Sequence, residues 1–498
     1  MKKILFRCLA IAVLLVGNMS AKQSFAEDIT LQKARQVATY YMGIQSGAKN
    51  LTTSDLQLVY EIPNISKGVT ALYFFNTTNG GFVVVSGSDC MDPIVAYSTE
   101  GTFDPNNMPP AMKWFLNGYV ETIVDAQNNN RTPDASIQAT WDELVYEKLD
   151  ESQPKTIYKT LKSVWNQDAP FNMFSPIVDG VRCPTGCVAT AMAQIIKFWE
   201  YPVCPKGLVS YDWNGNTMAI NLDTVRYDYS LMPDTAFRGN SYYTWWNEAQ
   251  IVEVSRLNYH LGIVNRMNYG SDGSGAYSNR YTKNAFKNNY KYASTIKELD
   301  RTSNAFANYT STPNAHDTLW LDTLAREIRE GRPVFYTGHD NSSSGVHAGH
   351  AFVLERYNTA TKKGWFNWGW GGSGDCWCNI ITSSLKTQGY NFSASHFAII
   401  GIQPPKDTLN ARNVAIEEVM PSELLAAYPN PSKTWVTIPY ILNDNASALL
   451  QIFSIDGRLV EERQVYASEN RTSINVASYP KGIYIYRMNG IARKFVVE

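Results

Sequence analysis

The chain has 498 residues, with 44 Lys and Arg against 45 Asp and Glu, for a formal charge of −1. That balance excludes nucleic-acid binding by bulk electrostatics, and the length exceeds what one hydrophobic core supports, so two to four domains are expected. Seven cysteines in so long a chain do not make a dense disulfide framework.

Residues 1–26 have the order of a signal peptide. Lys2, Lys3 and Arg7 precede an apolar run from Leu9 to Val16, and small residues follow at Ala21, Ser24 and Ala26. The run is too short to cross a bilayer and no later stretch is apolar enough, so an exported protein without stable membrane insertion is expected. Its removal leaves Cys90, Cys183, Cys187, Cys204, Cys376 and Cys378, whose pairing the sequence leaves open.

Residues 27–162 come next. Leu31, Ala34, Val37, Ala38 and Tyr41 recur at helical spacing within 29–44. Short strands are predicted over 56–62, 70–76 and 81–85, with a Thr78-Asn79-Gly80-Gly81 hairpin between two of them, and a second amphipathic helix over 110–126. The stretch 147–162 carries Lys148, Lys155, Lys159 and Lys162 without an apolar period. It reads as an exposed basic linker open to proteolysis. Residues 163–405 hold most of the tryptophans and all six histidines. A polar connector, 406–423, leads to residues 424–498, where short strands alternate with Pro-Asn-Pro, Asp-Gly and Asn-Gly turns. That pattern predicts a β-sandwich, and with no cysteine or histidine it is a poor place for chemistry.

Chemistry concentrates in the central block. In Cys183-Pro-Thr-Gly-Cys187, Thr185 can cap a helix in which Val188, Met192, Ile195 and Trp199 share a face. Cys187 would then sit at a helix N-terminus, which favours a thiolate. An ordinary thiol, with a pKa of about 8.5, is only a few per cent ionised at neutral pH, and a helix end supplies a fraction of the stabilisation needed. A nucleophilic Cys187 therefore needs an imidazole partner; alone it reads sooner as a buried small residue or half of a bridge to Cys183. His260 lies in an apolar helical stretch, His316 in a loop, and His396 in a short apolar run suited to a core, while His339 and His347 flank 340–346. His350 stands at the root of the β-forming run Ala351–Leu354, held rigidly with Gly349 beside it. Seventeen residues on, Asn367 can accept from the imidazole and fix its tautomer, with Trp368 shielding that bond. Gln167, twenty residues before Cys187, can donate to a developing oxyanion, a contact whose loss costs about 2.7–4 kcal/mol.

Taken together, these segments resemble the streptopain family of papain-like cysteine peptidases. The matching pieces are Trp165–Asn172, Thr185–Gln194 continuing to Tyr201-Pro202, Met267–Gly270, Gly349–Val353 and Asn367–Gly372. The resemblance implies an α+β, papain-like two-subdomain cysteine peptidase with an N-terminal α+β propeptide and a C-terminal β-sandwich. It implies Cys187 as nucleophile and His350 as base, an oxyanion hole from Gln167 and the Cys187 amide, and support for the histidine from Asn367 and Trp368. It implies a substrate cleft with the Gly270–Ala276 loop, an inhibitory propeptide in 27–162, and neither cofactor nor metal. Protein or peptide substrates and the chain's own propeptide are the expected partners. Residues 424–498 resemble the sorting domain of type IX secretion, through Tyr428–Pro431, Ile455–Gly457, Gly482–Tyr484 and Lys494–Val497. This adds the secretion machinery as a partner and the outside or surface of a Bacteroidetes-like bacterium as the location. Two other readings remain: a structural or adhesive exoprotein with zinc or disulfides at Cys183, Cys187, Cys376 and Cys378, and an amidase or acyl transferase using the same thioester.

Overall fold

The computed structural model describes residues 27–498 except 49–50, 150–155, 239–240, 302–312, 340–348, 381–385, 388–389, 392–395, 410–416, 420–422, 443–446, 456–457, 467–468, 470 and 489–490. The signal sequence and His347 lie outside the described residues.

The N-terminal block begins with helix α1 (Leu31–Ser46). Thr30 Oγ1 accepts from the Lys33 amide at 3.2 Å, Gly47 ends the helix at φ 71°, and Ala34, Val37, Ala38, Tyr41 and Met42 face inward. Strands β1 (Leu56–Asn64), β2 (Val69–Thr77) and β3 (Phe82–Ser86) form where alternation predicts them. Two elements were not expected. Strand β4 (Ile94–Ser98) is buried throughout, so it shows no alternation to detect. Helices α2 (Pro110–Asn129) and α3 (Ala135–Val145) follow; α3 carries its signal openly, an Asp134 cap and Ile137, Trp141 and Leu144 on one face.

Strand β5 (Ile157–Lys159) corrects the linker expectation. It pairs with the central sheet, and Leu161 beyond it is fully buried, so a freely exposed segment does not run on to Lys162. The central block then gives helix α4 (Cys187–Trp199), helix α5 (Glu248–Val264), and three small hairpins: β6 (Ile177–Val178) with β7 (Val181–Arg182), β8 (Leu208–Trp213) with β9 (Asn216–Asn221), and β10 (Phe237–Arg238) with β11 (Ser241–Tyr242). Sheet strands follow: β12 (Lys297–Asp300), β13 (Val334–His339), β14 (Gly349–Asn358), β15 (Lys363–Asn367) and β16 (Cys376–Asn379), then β17 (Lys386–Thr387), β18 (Tyr390–Asn391) and β19 (His396–Ile400). His316 lies in the helix Pro313–Arg329, not in a loop.

One antiparallel sheet, ordered β1-β2-β3-β4-β16-β15-β14-β13-β19-β12, runs through both blocks. The seam is β4 on β16, where Tyr97 faces Trp377 and Ala96 faces Cys378. In β14, Ala351 and Val353 pack with α4 and α5, while Phe352 and Leu354 pack with α2 and the helix Pro313–Arg329. The segment 406–423 is likewise more than a connector: β20 (Glu417–Val419) pairs with β5. Downstream, a three-stranded and a four-stranded sheet enclose Val436, Ile438, Leu450, Ile452, Tyr486 and Phe495, the predicted sandwich. Among the described residues no helix is long and apolar enough to cross a membrane.

Candidate active site

The turn into α4 depends on Gly186. Its φ is +86°, and a Cβ there would lie 2.6 Å from Met267 Cε and 2.9 Å from the Ser274 carbonyl, so only glycine fits. Thr185 does not cap the helix as expected. Its hydroxyl pairs with that of Thr190 at 2.8 Å, leaving the helix start without a side-chain cap. The half-buried Cys187 therefore sits over uncapped first-turn amides. Its Sγ also accepts from the Ala351 amide at 3.4 Å, which brings the sulfur to the residue following His350.

Gln167 is buried, and its carbonyl accepts from the Thr185 amide at 2.9 Å, stapling the two segments together two residues before Cys187. Asn166 Oδ1 accepts from the Gln167 amide at 2.7 Å, and Asn166 Nδ2 donates to Tyr242 Oη at 3.2 Å. Asn367 closes β15 in full burial. Its Nδ2 donates to the Ser163 carbonyl at 3.0 Å, and its Oδ1 accepts from Gln194 Nε2 at 3.1 Å and the Gly369 amide at 3.0 Å. Trp368 is buried behind it. Its indole donates to the Gly374 carbonyl at 2.8 Å, and its amide donates to Asp375 Oδ1 at 2.9 Å.

The electrostatics depart from the low-pKa thiol that a reactive cysteine requires. Burial pushes the Cys187 thiol above its ordinary value, and the amides of Ala351, Val188 and Cys187 offset only part of that rise. Burial also raises the carboxyls of Glu355 and Asp375, near Asn367 and Trp368. His260 and His396 are pushed down to about 3 by burial. His260 Nδ1 bonds Tyr227 Oη at 2.9 Å and His396 Nδ1 bonds Tyr336 Oη at 2.8 Å, as suits core residues.

Helix α2 reaches this region from the N-terminal block. The Trp114 indole lies so close over Gly338 that a Cβ there would meet it at 1.8 Å. Gly338 stands opposite His350 in the β13–β14 register. Phe115 packs on Trp368 with centroids 5.8 Å apart. By the two-residue alternation of β14, position 350 shares the face of Phe352 and Leu354, the α2 face, whereas Ala351 faces α4. Sequence reasoning missed Trp114, Gly338 and Gln194. Of these only Gln194 left a trace, as a polar residue amid apolar neighbours on α4.

The four-thiolate alternative fails on placement. Cys183 lies in the core around α4, whereas Cys376 and Cys378, with sulfurs 3.4 Å apart, lie in the core around α2. Among the described residues no group of three or more potential metal ligands occurs.

Comparison with known proteins accounts for this arrangement. Residues 165–378 match the Peptidase C10 family, residues 26–123 the Spi protease inhibitor family, and residues 426–498 the secretion system C-terminal sorting domain. The central block is a peptidase C10 domain, of the streptopain family. Streptopain of Streptococcus pyogenes is 27% identical over 414 residues, spanning 78% of this chain and 93% of that protein. A thiol protease/hemagglutinin, PrtT, of Porphyromonas gingivalis is 26% identical over 397 residues, 76% of this chain and 42% of that longer protein. The solved prointerpain A fragment of Prevotella intermedia is 27% identical with a TM-score of 0.54, covering 70% of this chain and 99% of that one. The chain is thus a cysteine-type endopeptidase of α+β, papain-like fold, made as a zymogen, with an inhibitor-like N-terminal block and a tail that marks it for secretion.

Proposed function

We propose that Cys187 is the nucleophile of this endopeptidase and His350 its general base. The observation that carries the assignment is Cys187 Sγ, over an uncapped helix start, in contact with the amide of the residue after His350. His350 takes the Sγ proton as sulfur bonds the scissile carbonyl carbon, then returns it to the departing amine; water next hydrolyses the thioester. Gln167, stapled to the Cys187 turn, and the Cys187 amide are the oxyanion donors. Asn367 and Trp368 orient and shield the imidazole.

In the precursor the N-terminal block covers one side of this set. α2 occupies the face of β14 that position 350 shares, with Trp114 seated on Gly338 and Phe115 on Trp368. Removing residues 27–162, or the part of them before β5, frees that face. Protein or peptide substrates, the chain's own propeptide and the type IX secretion machinery are its partners, and the product acts outside a Bacteroidetes-like cell or on its surface. A thiol-reactive epoxide, added to processed enzyme and mapped by mass spectrometry, should label Cys187 alone. Full activity with Cys187 labelled, or inactivation with Cys187 unlabelled, would remove the assignment.

A further inference from the structure

Gln194 follows Cys187 by seven residues on α4, about two turns along and nearly on the same face. It is fully buried, on a helix whose Val188, Met192 and Ile195 are buried too. A primary amide belongs in such a place only when both its halves are paired, and here they are. Nε2 donates to Asn367 Oδ1 at 3.1 Å. Oε1 accepts from the Trp165 amide at 3.1 Å, from Asn367 Nδ2 at 3.2 Å and from Ser163 Oγ at 3.2 Å. One side chain thus ties together three segments: the helix that starts at Cys187, the run leading to Gln167, and the end of β15.

We propose that Gln194 is a positioning residue of the peptidase, acting through Asn367 and Trp165 on the geometry of the site. The proposal rests on the supporting role assigned above to Asn367. The two amides face each other as a closed pair, donor to acceptor on both sides. Turning Asn367 over would set nitrogen against nitrogen and oxygen against oxygen, so Gln194 fixes which atom of Asn367 is the acceptor. Without that lock the Asn367 amide can present its NH₂ to an imidazole N–H, donor against donor, and the imidazolium beside the thiolate loses support. The same substitution frees the Trp165 amide and slackens the stretch that places Gln167. The titratable neighbours of this pair, Glu355 with its 2.9 Å partner Arg356 and Asp375 on the Trp368 amide, stay in place.

The test uses processed full-length enzyme carrying Gln194→Met, with Gln194→Glu, which keeps the shape and the acceptor for Trp165, in reserve against misfolding. Asn367→Ala and the double variant are made beside them. Gln194→Met is expected to lower kcat by about 10–100-fold with KM little changed, the range for a partner that orients a site residue. The acid limbs of kcat/KM and of Cys187 alkylation should move up together by about one pH unit. The double variant should lose less than the two single losses combined, since both cut the Gln194–Asn367 connection, and should exceed Asn367→Ala only by the share that runs through Trp165. A folded Gln194 variant with wild-type kcat and pH profile, beside a shifted Asn367→Ala, overturns the role of Gln194 alone. Asn367→Ala with the wild-type profile overturns the support role of Asn367, and this proposal with it.

Discussion

At Cys187 burial raises the thiol pKa while the amides of α4 and β14 lower it, and in the precursor burial prevails. A raised pKa keeps the group protonated at neutral pH, so its thiolate fraction grows only in the alkaline range. Iodoacetamide should therefore label the precursor slowly near pH 7 and faster as pH rises, whereas processed enzyme should react quickly well below that range. Equal rates for the two forms would contradict a latent thiol. Cys187→Ala should lose activity by about 10⁴-fold or more while remaining folded, and His350→Ala should approach that loss. His260 and His396, held neutral down to about pH 3 by burial, lack the charge change a base requires; replacing them should cost stability, read as a lower Tm, before it costs chemistry.

The decisive junction between elements is β4 on β16, and it contains a buried polar cluster. Lys363 Nζ donates to the Ile94 carbonyl at 2.8 Å and to Asn379 Oδ1, and Asn379 Nδ2 donates to Asp92 Oδ2 at 3.0 Å. Tyr119 of α2 adds a bond to the Asn379 carbonyl at 2.9 Å. Burial lowers Lys363 to about 8 and raises Asp92. Both shifts are against the separated blocks, and their signs differ. The raised Asp92 carboxyl makes docking strongest below its ordinary range, with that gain lost as pH rises through the raised pKa. The lowered Lys363 strengthens docking only from about pH 8 upward. Acid therefore does not release the N-terminal block through this pair, and a mature domain mixed with separate N-terminal block should be inhibited at least as well at pH 5 as at pH 7. Asp92→Ala leaves Lys363 without its neighbouring carboxylate and Asn379 Nδ2 without its acceptor, and should weaken that inhibition by about 10²-fold or more, on the scale of breaking a buried charged pair. Trp114→Ala, which empties the seat on Gly338, should raise the activity of the uncut precursor; an unchanged latent rate would show that α2 does not hold the site shut.

For the whole molecule, the pairing of β5 with β14 and β20 limits where activation cuts. Cleavage after Ile157 would have to strip a strand from the peptidase sheet, so N-terminal sequencing of the processed form should find a start between residues 148 and 157. Cys187→Ala should stay full length alone and be trimmed when active enzyme is added. Removal of residues 424–498 leaves the peptidase core and β20 untouched. The truncated chain should retain its kcat/KM while failing to leave the native host; equal export of truncated and intact chains would remove the sorting role.

Sequence alone set out the chemistry-bearing positions and the order of the blocks, because those signals are local. Gly186 before Cys187, the β-forming run after His350, the period of α1 and the turn-punctuated strands of 424–498 each lie within a short window. Helix α3 was equally local and was simply missed. Strand β4 was beyond a local signal, since burial on both faces erases alternation. What tertiary structure alone decided was contact between distant residues: Trp114 on Gly338, Lys363 on the Ile94 carbonyl, Gln194 on Asn367. The state of Cys187 belongs there too. A helix N-terminus in the sequence argues for a thiolate, but the balance of burial against N–H donors exists only once β14 is packed against α4.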